Sequence, residues 1–514
     1  MLSSLNMRPL TAWWLGALLF VPWLNSYTAG PASNTWPWLV CMLCAAVLWL
    51  FRRNLTGELV VSAWAAAAVV SAVIGLLQYF GFAPALSPWV SLSAAGEAFA
   101  NLRQRNQFAT LTSIGLVALL ALLAPINIHA SSNERAQQAG TRRVPWWAGL
   151  AAVLLAAGNA ASSSRTGLMQ WLLIALLAAW WTLPGQRRLL LFALQALLAY
   201  AVAVLTLPWL LEWATGVRSG GLFGRLAEAP TCESRKILWS NILHLIAEKP
   251  WLGWGWGELD YAHFMTLYPG PRFCEILDNA HNLPLHLAVE LGVPVALLLC
   301  GGGLWLAWRA RPWRETDPLR QAAWGVLAVI SLHSLLEYPL WYGPFQLAVA
   351  LCIGLLGRRP QAAPALGQGR IQKFKPELSF PQYIQAFVAI IMIASLATVA
   401  VSYHRVSQIY LPPAERSAAF RDDALGKVQG SWLFRNPARF AELSLTPLTP
   451  ENAAGVYEMA SDLLHYSPEP RVIEKLIESA VMLGRDDEAL QVLVRFRAAF
   501  PADHARWAEA NSGR

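Results

Sequence analysis

The stretch LVVSAWAAAAVVSAVIGLLQYF, residues 59–80, contains no charged side chain. About 20 apolar residues in succession allow a helix to cross the hydrocarbon core of a bilayer. Similar runs recur along a chain that is 56% hydrophobic and 14% charged, whereas soluble domains carry about 25% charged residues. The candidate spans are 11–28, 36–51, 58–81, 107–125, 145–161, 166–184, 189–212, 282–308, 321–338, 344–357 and 380–402. We therefore expect an all-α polytopic membrane protein with about eleven spans.

The basic residues indicate how the chain is oriented. If the chain starts in the cytoplasm, the inner connections hold seventeen Arg and Lys residues and the short outer connections hold three. The inner set is Arg8, Arg52, Arg53, Arg135, Arg142, Arg143, Arg187, Arg188, Arg309, Arg311, Arg314, Arg320, Arg358, Arg359, Arg370, Lys373 and Lys375, and the outer set is Arg103, Arg105 and Arg165. Cytoplasmic loops carry such an excess. The net charge of +8 therefore reflects topology and does not indicate nucleic-acid binding.

Two long segments are predicted on the outer side. The first is a loop at about 213–281, in which the apolar spacing over 233–248 predicts an amphipathic helix on the membrane surface. The second is the tail, 403–514, predicted as a helical domain separate from the transmembrane domain, 1–402. Its pattern LGR-x-x-EAL-x-x-L, starting at Leu483, is typical of a tetratricopeptide-type helical hairpin. Eleven spans place this tail outside the cytoplasm.

The six cysteines fall into two groups. Those inside predicted spans are expected to act as small hydrophobes. They are Cys41, Cys44, Cys300 and Cys352. Cys232 and Cys274 both lie in the outer loop, where an oxidising compartment favours a disulfide between them.

Polar residues that could carry chemistry gather in five short clusters. They are NLRQRNQFA (101–109), SSSRTG (162–167), CESRKILW (232–239), DNAHN (278–282) and HSLLEYPLWYGP (333–344). The pairs His333–Glu337 and His286–Glu290 have helical spacing and could be functional or purely structural. Asp278 or Asn279 could simply cap the helix that follows. GWGWG (253–257) lacks the context of a dinucleotide site, and its tryptophans could contact membrane or sugar.

The chemistry of these clusters is rich in arginine and poor in carboxylates. Asp occurs only at 260, 278 and 317 in the first 400 residues, and no Cys/His group has zinc spacing. A two-carboxylate hydrolase, a Mg²⁺-dependent transferase and a metal cofactor are therefore not expected. Guanidinium groups match phosphate oxygens, and a histidine accepts a proton near neutral pH. The set thus suits a phosphorylated, anionic substrate.

His281 and Asn282, followed after nine residues by Gly292, resemble the H-[NSQ]-x9-G-x-x-[GTY] signature of the bacterial O-antigen ligase superfamily. Val295 occupies the last position and departs from the pattern. SSRTG and SRKILW…KPWLGWGWG are similar to the core of that superfamily over about residues 100–345. NLRQRNQFA and the helical tail resemble its pilin-glycosylating branch, the protein O-oligosaccharyltransferases.

The resemblance implies transfer of a whole oligosaccharide from undecaprenyl diphosphate to an acceptor hydroxyl, without a cofactor. The reaction would occur at the periplasmic face of the bacterial inner membrane. His281 would be the base, Arg165 and Arg235 would bind the diphosphate, and Arg103 and Arg105 would assist. Asp278, Asn282, His333 and Glu337 are further candidate substrate-binding residues.

Three functions remain open at this point. The acceptor could be a protein such as pilin, or it could be lipid A core or another glycan, as in O-antigen ligases and polymerases. A lipid-linked-glycan flippase is a third possibility, although a translocation path would distribute polar residues through the membrane depth.

Overall fold

The computed structural model describes residues 7–124, 144–181, 187–227, 232–358 and 380–512, and within these ranges all regular structure is helical. The helices up to the outer loop are α1 (Met7–Leu24), α2 (Thr35–Leu50), α3 (Gly57–Tyr79), α4 (Arg105–Leu123), α5 (Trp146–Ala161), α6 (Arg165–Trp181), α7 (Arg187–Thr215) and α8 (Gly221–Ala227). Those from the outer loop onward are α9 (Arg235–Glu248), α10 (Leu259–Met265), α11 (Leu283–Leu291), α12 (Val293–Ala310), α13 (Pro318–Ser334), α14 (Gly343–Gly357) and α15 (Phe380–Ser407). The tail contributes α16 (Arg435–Leu445), α17 (Ala453–Leu464), α18 (Pro470–Met482), α19 (Asp486–Ala499) and α20 (Pro501–Asn511).

The chain divides into two compact units. The first consists of Met1–Thr28, Asn34–Glu228 and Ala310–Ala397, and the second of Ala29–Ser33, Ala229–Arg309 and Thr398–Arg514. The sequence predicts the whole outer loop as part of the transmembrane domain, 1–402, whereas the described part of that loop from residue 232 belongs to the same unit as the tail.

The core of the first unit is built around α4, most of which is buried. It packs against α3, α5, α6 and α13. A side chain at Gly115 would place its Cβ 2.4 Å from the Cβ of Ala68, so only glycine permits this approach of α4 to α3. Close packing through small residues is typical of helices within membranes.

Five helices of the described residues are long and apolar enough to cross a membrane. They are Gly57–Tyr79, Arg105–Leu123, Arg187–Thr215, Val293–Arg314 and Tyr383–Tyr410. Four shorter apolar helices are Thr11–Leu24, Thr35–Leu50, Trp146–Ala161 and Gly343–Gly357. The protein is therefore an integral membrane protein, while the count of eleven spans stays a prediction.

The structure divides the expected span 282–308 into α11 and α12, which meet at Gly292. Only the second of these helices begins a candidate span. Several basic residues used for the orientation lie outside the described residues. They are Arg135, Arg142, Arg143, Arg359, Arg370, Lys373 and Lys375. The orientation of the chain also stays a prediction.

In the second unit the apolar face of α9 is covered by protein. Its residues Leu238, Ile242 and Leu245 pack with Phe273 and Val289 in one buried cluster. The expectation that this helix lies on the membrane with that face was therefore wrong. The face was correctly identified as apolar, but its partners are distant in sequence.

The tail helices α16 to α20 each contact the next helix in the chain. Their core contains Ile473, Phe496 and other apolar residues, and Phe264 of α10 belongs to the same cluster. The predicted domain boundary at residues 402 and 403 falls inside α15. The division at that boundary and the tetratricopeptide-like character of the tail stay predictions.

Candidate active site

His281 lies immediately before α11 in the second unit. Asn282 is the N-cap of that helix, since its Oδ1 accepts a hydrogen bond from the Leu285 amide at 3.1 Å. Asn279 Oδ1 accepts from the backbone N–H of His281 itself at 2.9 Å. The cap is thus neither Asp278 nor Asn279, the two residues considered from the sequence, and His281 is not needed for that role.

The backbone of His281 is in the left-handed region, with φ of +48°. Such a conformation costs a residue other than glycine about 1–3 kcal/mol, and it recurs at functional sites. The side chain is half-buried. His281 is therefore held in a strained backbone conformation with its side chain partly accessible.

Asp278 and Arg235 belong to the same region of the second unit. The residue Asp278 is exposed as a whole, yet protein atoms around its carboxyl group exclude water from it and raise its pKa. The nearby His281 opposes that rise. Arg235 is the first residue of α9, after the N-cap Ser234. One turn further, Trp239 Nε1 donates to the carbonyl of Ala280 at 3.1 Å. The start of α9 is therefore tied to the residue before His281.

A disulfide between Cys232 and Cys274 supports the same arrangement, with the two Cα atoms 5.5 Å apart. Asn241 adds two bonds: its side chain donates to Pro271 O and accepts from the Phe273 amide. The segment 271–280, which leads to His281, is thus fixed to α9 at several points.

The pair His286 and Glu290 lies one turn into α11. His286 Nε2 is 3.4 Å from Glu290 Oε2, and the side chains are 3% and 2% exposed. Burial lowers the pKa of His286 to about 4, with His281 adding to the effect, and burial raises the pKa of Glu290 to about 7. The backbone N–H groups of Gly257 and Leu259 oppose this rise in the pKa of Glu290. This geometry favours the structural reading of the pair.

The glycines of GWGWG allow the turn to meet the end of α11. Trp254 and Gly255 donate their amides to the carbonyls of Val289 and Glu290 at 2.8 and 2.9 Å. These bonds satisfy carbonyls that a helix end leaves without partners in the helix. The indole Nε1 of Trp254 donates to Leu245 O, which fixes the ring against α9.

Gly292, the glycine of the sequence signature, has φ of +87°. A Cβ atom there would lie 2.1 Å from the carbonyl oxygen of Trp251. The two ends of the signature thus fall at the two ends of α11: His281 and Asn282 lie where the helix begins, and Gly292 lies where it ends against Trp251.

In the first unit, three of the sequence clusters meet in one polar network. Glu337 accepts hydrogen bonds from Gln104 Nε2 at 3.3 Å and from Asn106 Nδ2 at 3.2 Å. Asn106 Oδ1 in turn accepts from Ser164 Oγ at 2.6 Å. His333 Nδ1 lies 2.9 Å from Thr110 Oγ1. His333 and Glu337 thus both bind α4 or the residue that caps it.

The arginines of the first unit differ in their surroundings. Arg105 opens α4 and forms an ion pair with Glu97 at 2.5 Å. Arg103 is half-buried in a left-handed backbone conformation, and burial lowers the pKa of its guanidinium. Arg165 opens α6 and is exposed, directly after Ser164, whose Oγ accepts from the Gly167 amide at 3.0 Å.

A cation at a helix N-terminus opposes the helix dipole, whereas an anion there is stabilised. Arg165 and Arg235 each follow a serine that accepts a bond from an amide of the first turn. A bound phosphate would interact favourably with both the guanidinium and the helix end. Arg105 also opens a helix, and its guanidinium has a carboxylate partner in Glu97.

The candidate residues thus form two groups. Arg235, Asp278, His281 and Asn282 lie in the second unit, and Arg103, Arg105, Arg165, His333 and Glu337 lie in the first. Sequence reasoning missed Asn106, Ser164 and Trp239, although each lies inside a quoted cluster. Among the described residues, no three His, Cys, Asp or Glu side chains are grouped as metal ligands.

Three segments of the chain match known protein families. Residues 150–300 match the family described as O-antigen ligase, and residues 98–123 match the family described as protein glycosylation ligase. Residues 321–513 match the family described as the C-terminal part of virulence factor membrane-bound polymerases. The resemblance to the O-antigen ligase superfamily and its protein-glycosylating branch is thereby confirmed.

The chain is similar to one particular protein, the general O-oligosaccharyltransferase of Acinetobacter baylyi. The two are 28% identical over 125 residues, which cover 23% of this chain and 21% of that relative. The match thus spans about a fifth of the curated relative's length.

Proposed function

We propose that the protein transfers an oligosaccharide en bloc from undecaprenyl diphosphate to Ser or Thr hydroxyls of acceptor proteins. The observation that carries this proposal is the position of His281, strained and half-buried beside Asp278 and close to the helix that Arg235 opens. The family matches support glycan transfer of the ligase and oligosaccharyltransferase type.

His281 is the proposed general base. A hydroxyl is a poor nucleophile until a base takes its proton in the transition state. The imidazole takes that proton as the acceptor oxygen bonds to the anomeric carbon of the glycan. The bond from that carbon to the diphosphate breaks, and undecaprenyl diphosphate leaves with the electron pair. Asp278 would stabilise the imidazolium formed, which then releases its proton to water.

Arg165 and Arg235 are proposed to bind the donor phosphates. The departing diphosphate needs no proton if cations neutralise its charge, so the arginines provide electrostatic stabilisation. Arg103 would assist from its half-buried position. The role first expected for Arg105 is weakened by its ion pair with Glu97. We assign His333 and Glu337 to holding Asn106 and thereby Ser164, the residue before Arg165.

A protein acceptor is favoured by a cavity in the second unit. It has a volume of about 190 Å³ and is lined by α10 and the tail helices α17, α18 and α19. Its lining includes Tyr261, Tyr457, His465 and Arg495. Tyr and Arg are the residue types that protein interfaces favour. We propose that this cavity receives a segment of a pilin-like acceptor.

The acceptor is tested in a host that makes one defined lipid-linked glycan and is supplied with pilin or with lipid A core. Glycosylated pilin is expected, and glycan appearing only on lipid A core would overturn the choice of acceptor. Ser461 lines the cavity, so Ser461→Trp should impair pilin glycosylation while leaving hydrolysis of the lipid donor intact. Gly455→Trp is the matched control, because Gly455 lies exposed on another face of the same helix, does not line the cavity, and has open space where a Cβ would be added.

A second candidate is polymerisation of lipid-linked repeats. The match of residues 321–513 to the polymerase family favours it. In the same host, a polymerase would convert the single glycan into a ladder of longer lipid-linked chains, and this product distinguishes the two functions.

The proposed site faces the periplasm, in the bacterial inner membrane. Reporter fusions near residues 165, 250 and 450 should then read as periplasmic, and fusions after residues 53, 188 and 314 as cytoplasmic. A cytoplasmic reading near residue 250 would place His281 on the wrong side for this donor.

A further inference from the structure

The turn between α9 and α10 exposes three large apolar side chains. Trp251, Leu252 and Trp256 are 76%, 86% and 61% exposed. We name residues 250–256 the tryptophan turn. Large exposed apolar patches mark sites that contact a protein, a membrane or a ligand, so these side chains are a candidate for such a contact.

The tryptophan turn is attached to the beginning of a candidate membrane span. The amide of Val293 donates to the carbonyl of Pro250 at 2.8 Å, and Gly292 packs against the carbonyl of Trp251. Val293 is the first residue of the span Val293–Arg314, most of whose side chains are exposed. A bilayer that surrounds this span therefore begins beside the tryptophan turn.

The residues around the turn suit the boundary between lipid and water. Tryptophan is enriched there because its ring is apolar and its N–H is polar. Lys249 precedes the turn with its Nζ 3.8 Å from the Trp254 ring centroid. The Lys249 side chain is exposed, and a basic residue beside a bilayer is attracted to lipid phosphates. The apolar face of α9 is buried in protein and takes no part in this surface.

We propose that the tryptophan turn inserts Trp251, Leu252 and Trp256 into the interfacial layer of the bilayer, where α12 enters it. The ligand of this surface is the lipid membrane itself. The proposal requires the fixed contact between the turn and the first residues of α12, and it does not depend on the chemistry of His281.

The turn has a consequence for the proposed reaction, and this step rests on the proposed function. α11 carries His281 before its first residue and is bonded to the tryptophan turn at its last turn. Nine helical residues extend about 14 Å. The anchored turn thereby sets the position of His281 relative to the lipid surface from which the donor diphosphate projects.

The test places an environment-sensitive fluorophore on Leu252→Cys in the full chain, with Cys300→Ala as background. The protein is reconstituted in vesicles of phosphatidylethanolamine and phosphatidylglycerol. We expect quenching by lipids with a nitroxide near the headgroup and protection from aqueous iodide. The matched control is Trp432→Cys in the tail, a residue 82% exposed in the parent protein, where iodide should quench and the nitroxide lipids should not.

Iodide quenching at position 252 as strong as at position 432 would overturn the proposal. Trp251→Cys repeats the measurement if the first variant does not fold. His281→Ala combined with Leu252→Cys separates the two ideas. An unchanged fluorophore depth together with normal glycan transfer would leave the anchor in place and remove the proposed role of His281.

Discussion

The indole Nε1 of Trp239 donates a 3.1 Å hydrogen bond to the carbonyl of Ala280, the residue that precedes His281. The bond connects α9, one turn after Arg235, to the segment that carries the proposed base. Trp239, in the cluster CESRKILW, thereby holds a residue that lies 41 positions later in the chain. Trp239 is therefore a positioning residue in the proposed mechanism.

Trp239→Phe keeps an aromatic ring and removes the donor to Ala280. We expect about 1 kcal/mol of lost stability, the net value of one hydrogen bond. Turnover should fall more than donor binding, because the base is displaced while the arginines remain. Steady-state transfer to pilin, with donor concentration varied, measures both. Unchanged turnover in a folded protein would remove Trp239 from the mechanism.

Replacement of the phosphate-binding arginines should weaken the use of the donor. Arg165→Ala and Arg235→Ala are expected to reduce binding of the lipid-linked glycan as well as turnover. Lysine should restore them only partly, because it lacks the bidentate geometry of guanidinium. Arg105→Ala serves as the control, since Arg105 already pairs with Glu97. An equal loss in all three alanine variants would argue against this assignment.

The disulfide makes a prediction about stability. Cys232 and Cys274 are 42 positions apart, and a cross-link closing a loop of that size contributes roughly 4 kcal/mol at most in the chain-entropy model. Reduction should lower the melting temperature and loosen the start of α9. In the variant Cys232→Ser, which cannot form the disulfide, a reducing agent should leave the melting temperature unchanged. Mass spectrometry of non-reduced peptides checks the bond directly, and two free thiols would contradict it.

The sequence was most informative about the elements that local composition determines. The uncharged run at 59–80 is helix α3, and the polar clusters at 101–109, 162–167 and 333–344 do supply one network. Periodicity predicted an apolar face on α9 but not what covers it, since Phe273 and Val289 are distant in sequence. Hydropathy alone also joined α11 to α12, because it does not register that Gly292 adopts a conformation that ends a helix.

The buried pair in α11 predicts opposing effects of pH on stability. Glu290 has a pKa raised from 4.5 to about 7, so the stability it contributes is present at low pH and is lost as the pH rises through that interval. His286 has a pKa lowered from 6.5 to about 4, so acidification through that interval destabilises the folded state. The other groups that act on the pair are His281 on the histidine and Glu258 on the carboxylate.

Between about pH 4.5 and 6.5, Glu290 makes the stability of the parent protein fall as the pH rises, and His286 makes it increase, so the two effects oppose each other. Glu290→Gln should therefore become more stable, relative to the parent, as the pH rises over this interval. His286→Gln should become less stable over the same interval. Melting temperatures of the three proteins across pH 4.5–6.5 test this. Parallel curves for all three would show that the pair does not titrate as described.

The last prediction concerns His281 and its neighbour Asn282, which form a matched pair of variants. A general base contributes typically 10²–10⁴-fold to a rate, so His281→Ala should reduce glycan transfer by about that factor. The variant should still insert and bind the lipid-linked donor, because the arginines are unchanged and Asn282 still caps α11. Loss of the cap in Asn282→Ala should cost about 1 kcal/mol of stability and affect turnover much less. Pilin glycosylation and donor binding are measured at matched protein levels. Near-normal glycosylation by His281→Ala would reduce His281 to a strained residue before a helix and would assign the proton transfer to another group.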